Sequence, residues 1–342
     1  MVKKLWAPFR SQNETHELRR AAAPRRRREV RELSTIVILV LEIVFFTWWL
    51  WPEAGREHPF LNSANALLIL KYSAIYGIAA IGAAIVIISG GIDLAPGAVM
   101  ALAGVIGSEL FVVKGWPLGS SMMLGVLVGL GSGLLSAALI VLVRLPPFIA
   151  TLGVMGITRG AAFILTEGQY FDVSSRLLGG WRPLGLPADW VSPLIMIVLA
   201  LVFQVVMTTF QWGRAVFSIG GNETAALFSG IAVNRVKTSV YALSGALAGI
   251  SGVVLVLVQG QGKADLATGY ELDIIASAVV GGASLAGGRG SVLGAVLGTL
   301  IFGVLRNALP QIPGATFYDR LIVGLAVIVI VVVDQLLLKR RS

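Results

Sequence analysis

The sequence predicts an all-α polytopic membrane protein with about ten transmembrane helices, on three observations. Charged residues make up 13% of the 342 and hydrophobic residues 56%, whereas an ordinary soluble domain carries roughly 25% charge. Mean hydropathy is +0.85. The apolar residues fall in continuous runs near the ~20 residues that cross a ~30 Å hydrocarbon core. They lack the period-two alternation of barrel strands, so helices are expected. The composition excludes a disordered chain, a coiled coil and a disulfide-stapled module. There is no cysteine, and the two histidines, His16 and His58, lie outside the apolar runs. Thiol chemistry and intramembrane histidine–metal chemistry are therefore excluded.

The elements follow in chain order. Residues 1–32 form a basic tail: the first 34 residues hold ten Lys/Arg and four Glu. The first span, 33–51, is too long for a usual signal-peptide core and is followed by no A-x-A site, so it reads as a retained anchor. The second, 67–89, runs into Gly90 and Gly91. The third, 96–113, starts at Pro96. The fourth, 121–143, carries Gly125, Gly129 and Gly133, a small-residue face for close helix packing. The fifth, 147–165, holds Arg159 near its middle. A polar loop leads to the sixth, 191–210, and the polar stretch 211–237 to the seventh, 238–258. The eighth, 272–282, is short and ends at Gly281 and Gly282. The ninth is 291–305 and the tenth 321–338. The membrane domain is thus 33–338, and 339–342 is a basic end.

Lys and Arg accumulate on cytoplasmic flanks. With the N-terminus inside, 18 of the 27 Lys/Arg lie inside and 7 outside, with Lys71 and Arg159 within spans. Both termini are therefore expected in the cytoplasm. The net charge of +9 reads as a topology determinant near anionic lipid rather than a nucleic-acid patch.

Within 211–237, the run from Asn222 to Phe228 reads as a short helix. Asn222 is its N-cap and Glu223 sits in the first turn, where the helix dipole favours an acid. Its apolar side, Ala226, Leu227 and Phe228, suits either a lipid surface or a protein groove. The string from Gly260 to Ala264 lacks the first Gly and the Ser/Thr of a Walker A loop, so no nucleotide site is expected in this chain.

Gly90, Gly91 and Asp93, and Gly281 with Gly282, interrupt apolar helices. Irregular backbone at membrane depth is tolerated only where protein buries it or a cavity lies beside it. These positions read as a gate or as tight interhelical turns. The two breaks share the pattern Gly-Gly-x-x-Leu-Ala, as duplicated transporter halves do. The topology puts both on one side, which an inverted repeat forbids. Ionisable groups inside a bilayer are costly and mark function or pairing. Arg159 is the best buried candidate, pairing with Asp273 or bonding to backbone carbonyls. In the polar segment 258–273, Gln259, Gln261, Glu271 and Asp273 offer hydrogen-bond groups suited to a hydroxyl-rich solute, or form a plain solvated loop. In the outer loop 167–190, Trp181 and Trp190 fit interfacial anchors, and Arg176 or Arg182 fit an acidic partner surface.

Three stretches carry a family resemblance. The first is Gly90, Gly91, Ile92, Asp93, Leu94, Ala95, Pro96 and Gly97. The second is Gly220, Gly221, Asn222, Glu223, Thr224, Ala225 and Ala226, continuing to Ser229, Gly230 and Ile231. The third runs Gly269, Tyr270, Glu271, Leu272 and Asp273, then from Gly281 to Gly290, then Leu305, Arg306 and Asn307. In this order they resemble the permease subunits of bacterial ABC importers for monosaccharides, over residues 35–338. The family usually has Ser at the position of Ala95, so no hydroxyl role carries over there.

The resemblance implies a type II importer-like bundle in the bacterial inner membrane, paired with a second permease copy or a paralogue. It implies an ATPase subunit with two nucleotide-binding halves that holds ATP and Mg, and a periplasmic or lipid-anchored sugar-binding protein. It makes Gly220, Gly221, Asn222, Glu223, Ala226, Leu227, Phe228 and Gly230 the ATPase-coupling residues. Gly90, Gly91, Asp93, Arg159, Gln259, Gln261, Glu271, Asp273, Gly281 and Gly282 become path or gate residues. Cargo of branched-chain amino acids or nucleosides, and a proton-coupled carrier without an ATPase, are the alternative readings.

Overall fold

The computed structural model describes residues 33–51, 58–177 and 186–312, with isolated positions from 314 to 328. The basic tail, most of the tenth span, the basic end, Trp181 and Arg182 lie outside the described residues. Helix α1 is Leu33–Trp49. It is followed by α2 (Ser63–Ile88), α3 (Pro96–Val112), α4 (Leu118–Val141), α5 (Pro147–Thr166) and strand β1 (Tyr170–Asp172). Then come α6 (Ala188–Thr209), α7 (Gln211–Gly221), α8 (Glu223–Phe228), α9 (Val233–Gln259), strand β2 (Gln261–Lys263), α10 (Tyr270–Val280) and α11 (Val292–Ala308). Six of the described helices are long and apolar enough to cross a membrane, and α1 and α3 are shorter apolar helices.

Burial divides the bundle into an inside and an outside. In α2, 89% of the most apolar stretch is buried, and in α9 72%, against 28% in α5 and 33% in α6. A helix that is apolar all round is an interior helix, or one that faces lipid on its remaining side. The central helices α2 and α9 run antiparallel. The Ser251 hydroxyl of α9 donates to the Ile75 carbonyl of α2, and Gly82 of α2 lies on Ser244 of α9. Helix α4 crosses α9 through glycine. A Cβ at Gly129 would come within 2.5 Å of the Gly245 carbonyl oxygen and 2.7 Å of the Gly249 Cα. The small-residue face of α4 read from sequence therefore meets Gly245 and Gly249 backbone to backbone.

Two helices begin partway through the bundle. Pro96, the first residue of α3, borders the same crevice as Gly245 and Ala248, about midway along α9. Tyr270, the first residue of α10, sets its ring against Tyr76 with centroids 4.5 Å apart, midway along α2. At 11 residues, α10 is about 16 Å long, half of the hydrocarbon thickness. The eighth span is thus only half helix. The chain covers the other half as the turn from Ala264 to Gly269, which descends from the end of α9. Sequence hydropathy finds the helical half alone, because the turn is polar.

The two polar segments read from sequence, 167–190 and 258–273, carry the two strands. β1 pairs antiparallel with β2, with Tyr170 opposite Lys263 and Asp172 opposite Gln261. Arg176 stacks on Phe111 at 4.5 Å and donates to the carbonyls of Gly115 and Trp116, tying this loop to the end of α3. Hydrogen bonds from Ser174 and Ser175 hold the half-buried Asp172 carboxyl below its ordinary range.

Candidate functional site

The stretch 211–237 is two helices and the first turn of a third, where sequence gave one short helix. Helix α7 buries Val216 and Ile219, and Trp212 Nε1 donates to Ser239 Oγ of α9 at 2.7 Å. Asn222 is the N-cap of α8, its side chain accepting from the Ala225 amide at 2.9 Å. Glu223 does more than meet the dipole. Both its carboxylate oxygens accept from Lys237 Nζ of α9 at 2.7 Å, which fixes α8 against the bundle. Ala226 turns inward, onto Ile219 and Val233, so the expectation of an outward Ala226 is corrected. A helix this short needs one anchor under it, and Ala226 supplies it. Leu227 and Phe228 point out, 59% and 85% exposed. Leu227 lines a groove of about 580 Å³ together with Thr224, Ile231, Asn234 and Arg235. Gly230, with φ +82°, makes the turn back to α9.

The first break lies at the same end. Gly90 takes φ +85°, a conformation open chiefly to glycine, and α2 stops there. The chain then rises extended to α3. Asp93, 5% exposed, satisfies its carboxylate inside this rise. Its Oδ1 accepts from the Ala95 amide at 3.0 Å and its Oδ2 from Ser244 Oγ at 2.8 Å. Gly91 lies against the hydroxyl end of Tyr241. At the second break Gly281 is an ordinary C-cap, while Gly282 takes φ +98°. Gly281 is required by contact: a Cβ there would strike Gly294 of α11. Both breaks lie at the α7–α8 end, as the charge count places them and as an inverted repeat does not.

Arg159 does not pair with Asp273. Its Nη1 donates to the carbonyls of Ala264 and Leu266 at 2.6 and 2.7 Å, the second of the two expectations held open for it. The guanidinium thereby pins the polar turn at membrane depth, where unpaired carbonyls are costly. Asp273, 1% exposed, pairs with Arg306 Nη2 at 2.5 Å, and that guanidinium lies 6.0 Å from the Tyr270 ring centroid. Glu271 lies over Gly97 at the start of α3. Its Oε2 has no hydrogen-bond partner among the described residues. Lys71 pairs with Asp189 at 2.6 Å. Gln259 and Gln261 sit at the opposite end from α8, at the end of α9 and in β2. The structure therefore divides the expected path residues. The two breaks and Asp93 gather toward α8, Arg159, Glu271 and Asp273 near mid-depth, and the two glutamines at the far end. Sequence reading missed Arg306, Tyr76, Tyr270, Ser244 and Lys237. Arg306 lies about one turn beyond the position that the Gly281–Gly294 and Ser277–Gly298 contacts set opposite Asp273, and its long side chain closes the gap.

Apolar helices interrupted at membrane depth, with two short helices fixed at one end, define a multi-pass membrane permease. Residues 65–332 match the family described as branched-chain amino acid transport system / permease component, and the chain belongs to it. The ribose import permease protein RbsC of Bacillus subtilis (strain 168) is 36% identical over 281 residues, 81% of this chain and 86% of that protein. RbsC of Escherichia coli (strain K12) is 33% identical over 317 residues, 90% of this chain and 94% of that protein. The D-allose transport system permease protein AlsC of Escherichia coli (strain K12) is 32% identical over 285 residues, 82% and 86% of the two chains. No solved structure matches the chain.

Proposed function

We propose that this chain is the membrane subunit of an ATP-binding-cassette importer and carries a monosaccharide across the bacterial inner membrane, both termini in the cytoplasm. The observation that carries this reading is α8. It is locked to α9 by Glu223 and Lys237 and holds Leu227 and Phe228 outward beside a groove, on a chain similar over four fifths of its length to ribose import permeases. A separate ATPase with two nucleotide-binding halves docks there and holds ATP and Mg. This chain has no nucleotide loop of its own and performs no covalent chemistry.

The path runs between two permease copies, along the open face of α5. Among the described residues, nothing stands within 4 Å of a Cβ placed on Gly153, Gly156 or Gly160 of that face, and Arg159 and Glu271 flank it. A sugar that must leave as readily as it enters is served by a few polar groups among small residues. A periplasmic or lipid-anchored sugar-binding protein delivers cargo at the end bearing β1 and β2. ATP binding favours one of two permease states by its differential affinity for them.

Reconstitution with the ATPase and the delivery protein tests this. ATP inside the vesicles should drive uptake of radiolabelled D-ribose or D-allose, and a proton gradient alone should not. Uptake on a proton gradient without ATPase rejects the reading. The family description favours amino-acid cargo as the second reading, and leucine uptake in the same vesicles with ribose and allose excluded would establish it.

A further inference from the structure

We infer that Gly220 is the positioning residue that ties the ATPase-docking segment to both glycine breaks at once. This rests on the reading of α7–α8 as the docking segment. Three stretches far apart in sequence meet at this glycine. The amide of Gly288, beyond the second break, donates to the carbonyl of Ile88, at the end of α2, at 2.8 Å. Gly220, one residue from the end of α7, lies over that bond. A Cβ on it would fall on the Ile88 oxygen and within 2.6 Å of the Gly288 nitrogen. Contact from the other side is as close: a Cβ on Gly287 would come 2.5 Å from the Gly220 oxygen and 3.0 Å from the Gly90 Cα. Gly90, Gly287 and Gly288 all have positive φ, at +85°, +78° and +69°.

The three backbones thus touch with no side chain between them to rotate and absorb a shift. Behind Gly220, α7 is held by buried Val216 and Ile219, and α8 follows it after a single residue, Asn222. Ahead of the contact, the first break leads through Asp93 to the start of α3, and the second ends α10. A displacement of α8 therefore reaches both half-depth helices through one backbone contact. Leu227 and Phe228 bind the partner; Gly220 relays its movement.

The test uses the assembled permease–ATPase complex carrying Ser89→Cys, a near-isosteric change at a 5% exposed residue between Ile88 and Gly90. The native chain has no cysteine, so this thiol is the permease's only one, and its labelling is read on the separated permease chain. With Gly220 intact, a non-hydrolysable ATP analogue should change the maleimide reaction rate at this thiol by about fivefold or more, the lower scale of coupling between sites. In Gly220→Ala the response per ATPase bound should vanish. An equal response in both chains, or none with Gly220 intact, overturns the proposal. If Gly220→Ala does not assemble, Gly287→Ala, outside the docking segment, takes its place with the same expected loss. Failure of the ATPase to co-purify with the unmodified permease would instead sink the docking reading itself.

Discussion

Arg306 of α11 meets Asp273 of α10 at 2.5 Å, with the Asp273 side chain 1% exposed and the Arg306 side chain 26%. The pair fastens the half-length helix α10 to a full-length neighbour at the level where α10 begins. Removing one member of such a pair strands the other charge in a low-dielectric site, at a cost of about 3–5 kcal/mol. Arg306→Leu should therefore lower the thermal unfolding temperature in detergent sharply, and adding Asp273→Asn should restore most of the loss. Additive losses in the double variant would show that the two residues act separately.

Glu223→Ala combined with Phe228→Ala should abolish co-purification of the ATPase while leaving membrane insertion intact. Glu223 fixes α8 through Lys237, and Phe228 is the most exposed large apolar side chain described near it. Undiminished co-purification would refute the docking role of α8.

Arg159→Ala should reduce uptake by about tenfold or more, the range of a strong intersite coupling, at unchanged expression. Arg159→Lys should not rescue it, because the lysine side chain is one bond shorter and its ammonium falls short of the point from which Nη1 meets both carbonyls. The readout is initial uptake rate in reconstituted vesicles. Full activity of the lysine variant would show that charge alone suffices at this position.

Gly129→Val should destabilise the bundle by about 1–3 kcal/mol or more, the scale of overpacking, since the Gly245 oxygen occupies the space a side chain needs. Gly131→Val, where no described residue stands within 4 Å of a Cβ, is its control. Melting of the two purified variants side by side decides the matter.

Thr224→Cys, beside the groove at α8, should resist a membrane-impermeant maleimide in intact cells and react in inverted vesicles. Ser175→Cys, after β1, should behave in the opposite way. The reverse pattern would place α8 outside and remove the ATPase from the scheme.

Much of this was legible from residue types. Apolar runs gave α2 through α6, α9 and α11 within a few residues, since a helix in lipid must satisfy its backbone internally. Asn222 and Glu223 announced the start of α8, and the two Gly-Gly pairs marked where helices stop. Pairing was not legible. Arg159 had two chemically adequate partners, and only the descent of the turn from Ala264 to Gly269 decides for the carbonyls of Ala264 and Leu266. Helix α7 escaped notice because Gln211, Arg214 and three glycines dilute its apolar face, which tertiary contact with α9 rescues. The inward turn of Ala226 depends on Val233, which belongs to the next helix.

Where α4 crosses α9, peptide bonds rest on peptide bonds. A joint of that kind has no cushion to repack, so it resists sliding and twisting alike. The pair acts as a keel, and the rocking of a transport cycle must be borne by lighter timbers at the hull, α5 and α6 among them. Inhibitors meant to jam this machine would find little purchase on the keel and better leverage at the planks.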